Sequence, residues 1–212
     1  MKAAYRELYL LDAKVHLASC TDYLINRCQI APERVAYVYA NFPIMKSFQA
    51  GDPGVVGGLS GAELGARIYE GLYAGETAPA PAPLQDGRTA EYWGGWALAH
   101  FQWYWDKSFK WIFARTTMSA LLAKYSVYHE MDIARFLEDF KMELDSIEVE
   151  PNLRRIRRAC GYSQAELAKI SGINIRNIQL YEQRVQDINR ASAASLRELA
   201  KSLACSIEDL ME

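Results

Sequence analysis

Apolar residues recur every three or four positions along most of the chain, a spacing typical of amphipathic α-helices. No segment shows sustained alternation of apolar and polar residues, so the sequence predicts no strand. In the first half, helices are predicted over about residues 3–27 and 33–40, and a third begins after Ser60. Ser60 and Glu63 have the spacing of a capping box. One stripe of the first predicted helix carries Tyr5, Leu8, Leu11, Val15 and Leu24.

A run rich in alanine, proline and glycine interrupts this helical pattern between about residues 75 and 89. It contains the repeat Thr-Ala-Pro-Ala-Pro-Ala-Pro over residues 77–83. Proline-rich chain favours extended conformations, so we expect a semi-extended connector here.

All five tryptophans lie in the segment 91–113, which as a helix is apolar around nearly its whole circumference. A helix of this kind is normally buried, so we interpret the segment as the central core helix of an N-terminal domain. The alternative is a groove for a partner protein or ligand, because aromatic side chains dominate the energetics of interfaces. Two further helices are predicted over about 118–125 and 130–145.

A short acidic stretch that ends in Pro151 marks a predicted domain boundary. It separates a helical domain, residues 1–147, from a linker, 148–151, and a second domain, 152–212. Residues 151–212 contain ten Lys/Arg and seven Asp/Glu, a net charge of +3, whereas the first 150 residues contain fourteen and nineteen, a net charge of −5. A basic module attached to an acidic body favours nucleic-acid binding by the C-terminal part.

The C-terminal part contains two capped helices joined by a glycine turn, with almost no residues to spare. Ser163 and Glu166 form a second predicted capping box. Gly172 stands at the turn, where a positive φ is needed, and Asn174 is a favourable cap for the next helix. This succession is that of a helix-turn-helix. The residues expected to face its core are Leu153, Ile156, Leu167, Ile170, Ile178, Tyr181, Leu196, Leu199, Ala200 and Leu203, with Ile207 and Leu210 on a last short helix capped by Ser206.

The third helix of this domain is predicted to expose the side chains that would read DNA. They are Ile175, Arg176, Asn177, Gln179 and Leu180. Arginine, asparagine and glutamine each have the geometry to form two hydrogen bonds with one base edge. We therefore expect Arg176 to read a base and Gln164 to contact a phosphate or an edge base. The alternative is that these are ordinary exposed polar positions.

Four arginines are expected on the solvent side of the first helix of this domain. They are Arg154, Arg155, Arg157 and Arg158. Two interpretations are open: contact with the phosphate backbone, or solvation alone.

Taken together, these residues resemble the Xre-type helix-turn-helix family of phage repressors over about residues 152–212. The resemblance rests on Leu153, the segments 163–168 and 171–173, Ile178, Tyr181, Glu182, Leu199, Ala200, Leu203 and the segment 206–210. It implies an all-α, five-helix, lambda-repressor-like DNA-binding domain, in which Gln164 and residues 174–177, beginning with Asn174, approach DNA.

This sequence departs from the family's pattern in two places. The connection over residues 183–190 is longer than usual, and Leu180 stands where a polar or basic residue is common. We therefore expect fewer positions to read bases, and Arg184 and Arg190 to contact the DNA backbone.

Signatures of catalysis are incomplete. His129-Glu130 begins a zinc-protease signature, but Ile133 stands where the second histidine is needed. The glycine-rich stretch 54–61 lacks the end of a phosphate-binding loop and misses a nucleophile elbow by one residue. We expect no enzymatic activity, no cofactor and no metal.

The cysteines and the longest apolar stretch favour a cytoplasmic protein. Cys20, Cys28, Cys160 and Cys205 form no C-x-x-C pair, so we expect free thiols in a reducing compartment. The longest apolar stretch is too short to span a bilayer.

These patterns predict a sequence-specific regulator of transcription that binds double-stranded DNA as a homodimer on paired half-sites. The N-terminal domain would serve dimerisation, sensing, or binding of a partner protein or ligand. The alternative is an antitoxin-like protein, whose N-terminal domain neutralises a partner protein and whose DNA binding regulates its own operon. A third interpretation is a protein-interaction module that does not bind DNA.

Overall fold

The protein is all-α, as predicted, in a computed structural model that describes residues 3–74, 76–81 and 89–212. Within these ranges there is no strand, and no helix is long and apolar enough to cross a membrane. The chain divides into an N-terminal unit, residues 1–147, and a C-terminal unit, residues 148–212. Each unit has a hydrophobic core of its own.

Ten α-helices of the N-terminal unit lie in the described residues. They are α1 (Leu10–Asp22), α2 (Pro32–Asn41), α3 (Pro43–Gln49), α4 (Pro53–Val56), α5 (Gly61–Leu72), α6 (Ala90–Trp105), α7 (Phe109–Phe113), α8 (Met118–Ala123), α9 (Tyr125–Tyr128) and α10 (Ile133–Ser146). The predicted capping box at Ser60 and Glu63 is confirmed at the start of α5.

The first predicted helix differs from the structure in its bounds and in its buried face. A 3-10 turn, Glu7–Tyr9, precedes α1, and a π-helical turn, Tyr23–Arg27, extends it. Leu8, Leu11 and Val15 of the predicted apolar stripe are exposed, Leu11 by 65%. The side chains of α1 that are buried instead are Ala13, Leu17, Ala18, Cys20 and Thr21.

The buried face of α1 is set by close approach of its neighbours, α5 and α6. A Cβ atom on Gly95 of α6 would lie 2.5 Å from the carbonyl oxygen of Leu17, and one on Gly61 of α5 would lie 2.4 Å from that of His16. Helices this close have room between them mainly for small side chains. The larger apolar side chains Leu11 and Val15 of α1 are therefore exposed to solvent.

The tryptophan-rich segment forms α6 and α7, which are separated by Asp106 in the left-handed conformation. Trp93, Ala97 and Phe101 of α6 are buried in the core of the N-terminal unit. Trp93 meets Phe136 of α10 edge-to-face, with ring centroids 5.3 Å apart. The interpretation of this segment as a core helix is confirmed for this face, whereas Trp96 is only partly buried.

The described part of the alanine- and proline-rich connector, residues 76–81, is non-helical, as predicted. The Tyr23 hydroxyl donates a hydrogen bond to the carbonyl oxygen of Pro79. Arg27 Nε donates one to the carbonyl oxygen of Ala80, at 2.9 Å. Residues 75 and 82–88 of the predicted connector lie outside the described residues.

The C-terminal unit contains the five predicted α-helices. They are α11 (Asn152–Ala159), α12 (Gln164–Ser171), α13 (Ile175–Glu182), α14 (Ala193–Ser202) and α15 (Ile207–Leu210), with a 3-10 turn, Ile188–Arg190, before α14. The buried core side chains confirm most of the predicted set: Leu153, Leu167, Ile178, Tyr181, Leu196, Leu199, Ala200, Leu203 and Leu210.

The prediction that Ile170 faces the core is wrong, because 49% of this residue is exposed. The buried face of α12 is formed by Leu167 and Ser171, which are one helical turn apart. The Ser171 hydroxyl is satisfied there by the carbonyl oxygen of Leu167, at 2.6 Å. Ile170 lies at the edge of this face, so its side chain is partly exposed to solvent.

Candidate nucleic-acid interface

Two helix caps and a glycine with positive φ fix the turn between α12 and α13, and the sequence predicts all three. Ser163 Oγ accepts a hydrogen bond from the amide of Glu166, and the Glu166 carboxylate accepts one from the amide of Ser163, at 2.7 Å. Gly172 has a φ of 70°. The Asn174 side chain caps α13 by accepting from the Arg176 amide at 2.8 Å. The start of α13 is therefore rigidly placed relative to α12.

One face of α13 is buried and the other carries the predicted DNA-reading side chains. Ile178 and Tyr181 lie in the core. The residues at the start of the opposite face, Ile175, Arg176 and Asn177, are exposed, as is the capping residue Asn174. Gln179 and Leu180 are partly buried. The first turn of α13 thus presents one apolar and several polar side chains to solvent.

Arg157 does not lie on the solvent side of α11 as predicted: it is buried, with 8% exposed, and pairs with Glu182, with 4% exposed. Its Nε lies 2.7 Å from Glu182 Oε1 and its Nη2 lies 2.9 Å from Oε2. Its Nη1 donates to the carbonyl oxygen of Tyr162. The hydrogen bonds to Glu182 raise the pKa of Arg157. Because both charges are paired and hydrogen-bonded, the burial is tolerated.

A signal for this pair is present in the sequence. Glu182 follows Ile178 by four positions, which places its carboxylate on the inward face of α13. A buried carboxylate needs a cationic partner, and Arg157 is one turn beyond the buried Leu153 on α11.

Gln164, at the first position of α12, is held by the same carboxylate. Its Nε2 donates a hydrogen bond to Glu182 Oε2 at 2.9 Å. An amide nitrogen has two hydrogens, and the amide oxygen accepts separately. Glu182 therefore orients the Gln164 side chain while one N–H and the carbonyl oxygen remain for another partner.

In the longer connection after α13, the chain turns at Arg184, which has the left-handed conformation with a φ of 54°. The amides of Val185 and Gln186 both donate to the carbonyl oxygen of Leu180, at 3.0 and 3.1 Å. Arg184 Nη2 lies 2.7 Å from Glu212 Oε2, so this guanidinium is engaged within the unit. Arg190 lies 3.6 Å from Asp187, and 88% of its side chain is exposed.

The three other arginines of α11 are exposed and paired locally. Arg154 and Arg158 lie 3.4 and 3.1 Å from Glu150 Oε1. Arg155 donates to Asn152 Oδ1 at 3.1 Å. The pairing of Arg154 and Arg158 with Glu150 reduces the positive electrostatic potential of the exposed face of α11.

The described residues hold no group of three His, Cys, Asp or Glu side chains placed to bind a metal ion. All four cysteines are free thiols.

No curated protein and no solved structure matches the chain. Residues 153–210 match the family model described as Helix-turn-helix, which is of the Cro/repressor type. The match begins at Leu153 of α11 and ends at Leu210 of α15, so it includes the whole of α12, the turn and α13. Residues 153–210 therefore form a helix-turn-helix domain of the repressor type, which is a DNA-binding domain.

Proposed function

We propose that this chain is a sequence-specific DNA-binding regulator of transcription and that α13 is its recognition helix. The observation that carries the proposal is the exposed first turn of α13, which is capped at Asn174 and anchored from behind by Ile178 and Glu182. An α-helix with its side chains is about as wide as the major groove of B-DNA. A recognition helix reads base edges with the residues near its start.

The side chains of α13 have distinct roles in this proposal. Arg176 forms two hydrogen bonds with the edge of a guanine, and Asn177 and Gln179 are suited to adenine. Ile175 contacts a thymine methyl group. Asn174 contacts DNA through its side-chain amide nitrogen, because its side-chain oxygen caps the helix. This assignment rests on the residue types and on their common surface.

Residues outside α13 position the domain on the phosphate backbone. Gln164 offers its second N–H to a phosphate or an edge base, from an orientation that Glu182 fixes. Arg190 contacts a phosphate directly, since its side chain is exposed. Arg184 does so only after it leaves Glu212, so its contribution is the smaller of the two.

Two copies of the chain bind together in this proposal, because each copy presents one recognition helix and half-sites for such helices lie about one helical turn apart. The N-terminal unit serves dimerisation, sensing or partner binding. Dimerisation by this unit is supported by its separate core and by three exposed apolar side chains, Leu8 in the turn before α1 and Leu11 and Val15 on α1. The second copy would cover these side chains.

Selection of bound sequences from random duplex DNA tests the proposal. We expect the full chain to enrich one motif with two related halves, centred about 10–11 base pairs apart. Affinity for that motif should fall steeply with salt as counterions are released from the phosphates. Failure to enrich any motif at low salt would contradict DNA reading. A single unpaired half-site, together with a monomer in sedimentation, would contradict only the dimer.

A further inference from the structure

A cavity of about 180 Å³ lies in the N-terminal unit, beside α6, α9 and the start of α10. Its wall contains His129 and two non-aromatic apolar side chains. The rest of the wall is aromatic: Tyr92, Trp93, Trp96 and Tyr128. The proposed DNA-reading function does not use this cavity, which is formed entirely by N-terminal residues.

The volume of the cavity limits what it can hold. An apolar protein cavity of about 150 Å³ binds benzene, whereas drug-sized ligands need about 300–1,000 Å³. A cavity of about 180 Å³ therefore fits a single six-membered ring with one small substituent. Nucleotides and larger cofactors are too big for it.

Trp93 supplies an unused hydrogen-bond donor in this wall. The indole N–H groups of Trp103 and Trp105 donate to the carbonyl oxygens of Tyr5 and Leu137, at 2.8 and 3.2 Å. The described residues provide no such acceptor for the indole N–H of Trp93, although only 7% of this residue is exposed. The indole nitrogen of Trp93 is not among the buried polar atoms of the described residues that lack a partner, so it is accessible. Since Trp93 lines the cavity, a ligand there that carries an acceptor would accept a hydrogen bond from this N–H.

His129 supplies an acceptor. Its Nδ1 lies 2.8 Å from the carbonyl oxygen of Tyr125, and its ring packs on that of Tyr125, with centroids 4.5 Å apart. Since a carbonyl oxygen only accepts, Nδ1 carries the hydrogen and Nε2 of the neutral ring accepts. Nε2 lies 3.6 Å from Glu130 Oε1, which is beyond hydrogen-bonding distance. The Nε2 atom is therefore left for a donor.

The charge of the wall favours a neutral ligand, because its seven residues include no Asp, Glu, Lys or Arg. A hydroxyl group both accepts and donates hydrogen bonds. We propose that this cavity binds a small neutral phenol, with its ring among the aromatic side chains and its hydroxyl between the Trp93 N–H and His129 Nε2. The Tyr128 hydroxyl does not compete, because it donates to Asp139 Oδ2 at 3.1 Å.

Titration of the full chain with phenol, in the absence of DNA, tests this proposal. The readout is the NMR signal of the Trp93 indole N–H, assigned from its loss in Trp93→Phe. We expect a saturable shift of that signal, and binding of benzene that is weaker by about fivefold because it forms no hydrogen bond. No saturable shift up to about 10 mM phenol would overturn the proposal. Equal affinity for benzene, or tighter binding of tetramethylammonium as expected of a cation-binding aromatic cage, would overturn the assignment of a phenol.

Three variants test whether phenol binds in this cavity and distinguish loss of binding from loss of folding. Met131, which lines the cavity and is half exposed, is replaced in Met131→Trp to fill the space. Val127→Trp adds the same bulk at an exposed position of α9 outside the cavity and serves as its control. We expect calorimetry to show no phenol binding by Met131→Trp and unchanged binding by Val127→Trp. His129→Phe removes one of the two hydrogen bonds to the hydroxyl and should weaken the binding of phenol but not that of benzene. Unchanged phenol binding in Met131→Trp would overturn the location.

Discussion

Arg157 and Glu182 form a two-point ion pair that joins α11 to the end of α13. The guanidinium Nε and Nη2 lie 2.7 and 2.9 Å from the two carboxylate oxygens, and both residues are buried. The same carboxylate holds Gln164 at the start of α12. One side chain therefore links three helices of the domain and orients a side chain that we propose to contact DNA.

We predict that Glu182→Ala destabilises the C-terminal unit by about 3–5 kcal/mol, because it leaves the Arg157 guanidinium buried without a counter-charge. Hydrogen exchange of the Ile178 amide measures this loss, since Ile178 lies in the core of that unit alone. Tryptophan fluorescence should change little, because every tryptophan lies in the N-terminal unit.

Two matched variants control this prediction. Arg157→Met combined with Glu182→Leu removes both charges and should recover most of the stability. Arg158→Ala breaks only an exposed pair with Glu150 and should cost less than about 1 kcal/mol. Equal effects of Glu182→Ala and Arg158→Ala would show that the buried pair does not hold the helices together.

We predict that Gly95→Ala destabilises the N-terminal unit by about 1–3 kcal/mol. The new Cβ would lie 2.5 Å from the carbonyl oxygen of Leu17 and 2.5 Å from Thr21 Oγ1, so α1 and α6 must move apart. Urea unfolding followed by tryptophan fluorescence measures the change. Gly71→Ala is the control: its Cβ would lie 3.3 Å from the Phe42 ring and close to no backbone atom of another helix. A small shift of this ring accommodates the Cβ, and alanine has the higher helix propensity, so stability should change by less than about 1 kcal/mol. Similar losses in both variants would contradict the close α1–α6 packing.

We predict that Glu33 contributes stability that acid removes. Its carboxylate accepts hydrogen bonds from the amides of Met118 and Ser119, both at 3.1 Å, at the start of α8. Burial raises the pKa of this carboxyl, but the hydrogen bonds from Ser119 and Met118 outweigh burial, and the pKa falls below its ordinary 4.5. A group whose pKa is lower in the folded state stabilises the fold above its unfolded pKa, and loses that effect as pH falls through the folded pKa.

The free energies of unfolding of the wild type and Glu33→Gln, measured between pH 7 and pH 3, check this sign. The wild type should be more stable at neutral pH by at most about 1 kcal/mol, because the carboxylate is solvent-exposed. The difference should shrink as pH falls below 4.5. A difference that grows in acid would contradict the role of Glu33.

Features that depend on neighbouring residues were predictable from the sequence. The capping boxes at Ser60 and Ser163 and the turn at Gly172 each follow from a few consecutive side chains, and the structure confirms all three. The buried face of α1 was not predictable in this way, because close approach of Gly95 and Gly61 decides it. The burial of Arg157 depends on its pairing with Glu182, which is 25 positions away in the sequence, so the pattern of α11 alone does not predict it.

The most direct test of the central claim, that the first turn of α13 reads bases, is a comparison of the DNA motifs selected by the wild type and by Arg176→Ala. Arg197→Ala serves as the control, since Arg197 is an exposed arginine of α14. We predict that Arg176→Ala still folds and binds DNA but loses its preference at one base pair of each half-site, a loss of about 1–3 kcal/mol of discrimination. Arg197→Ala should select the wild-type motif. An unchanged motif for Arg176→Ala would contradict base reading by this residue, and unchanged motifs for Asn177→Ala and Gln179→Ala as well would contradict α13 as the recognition helix.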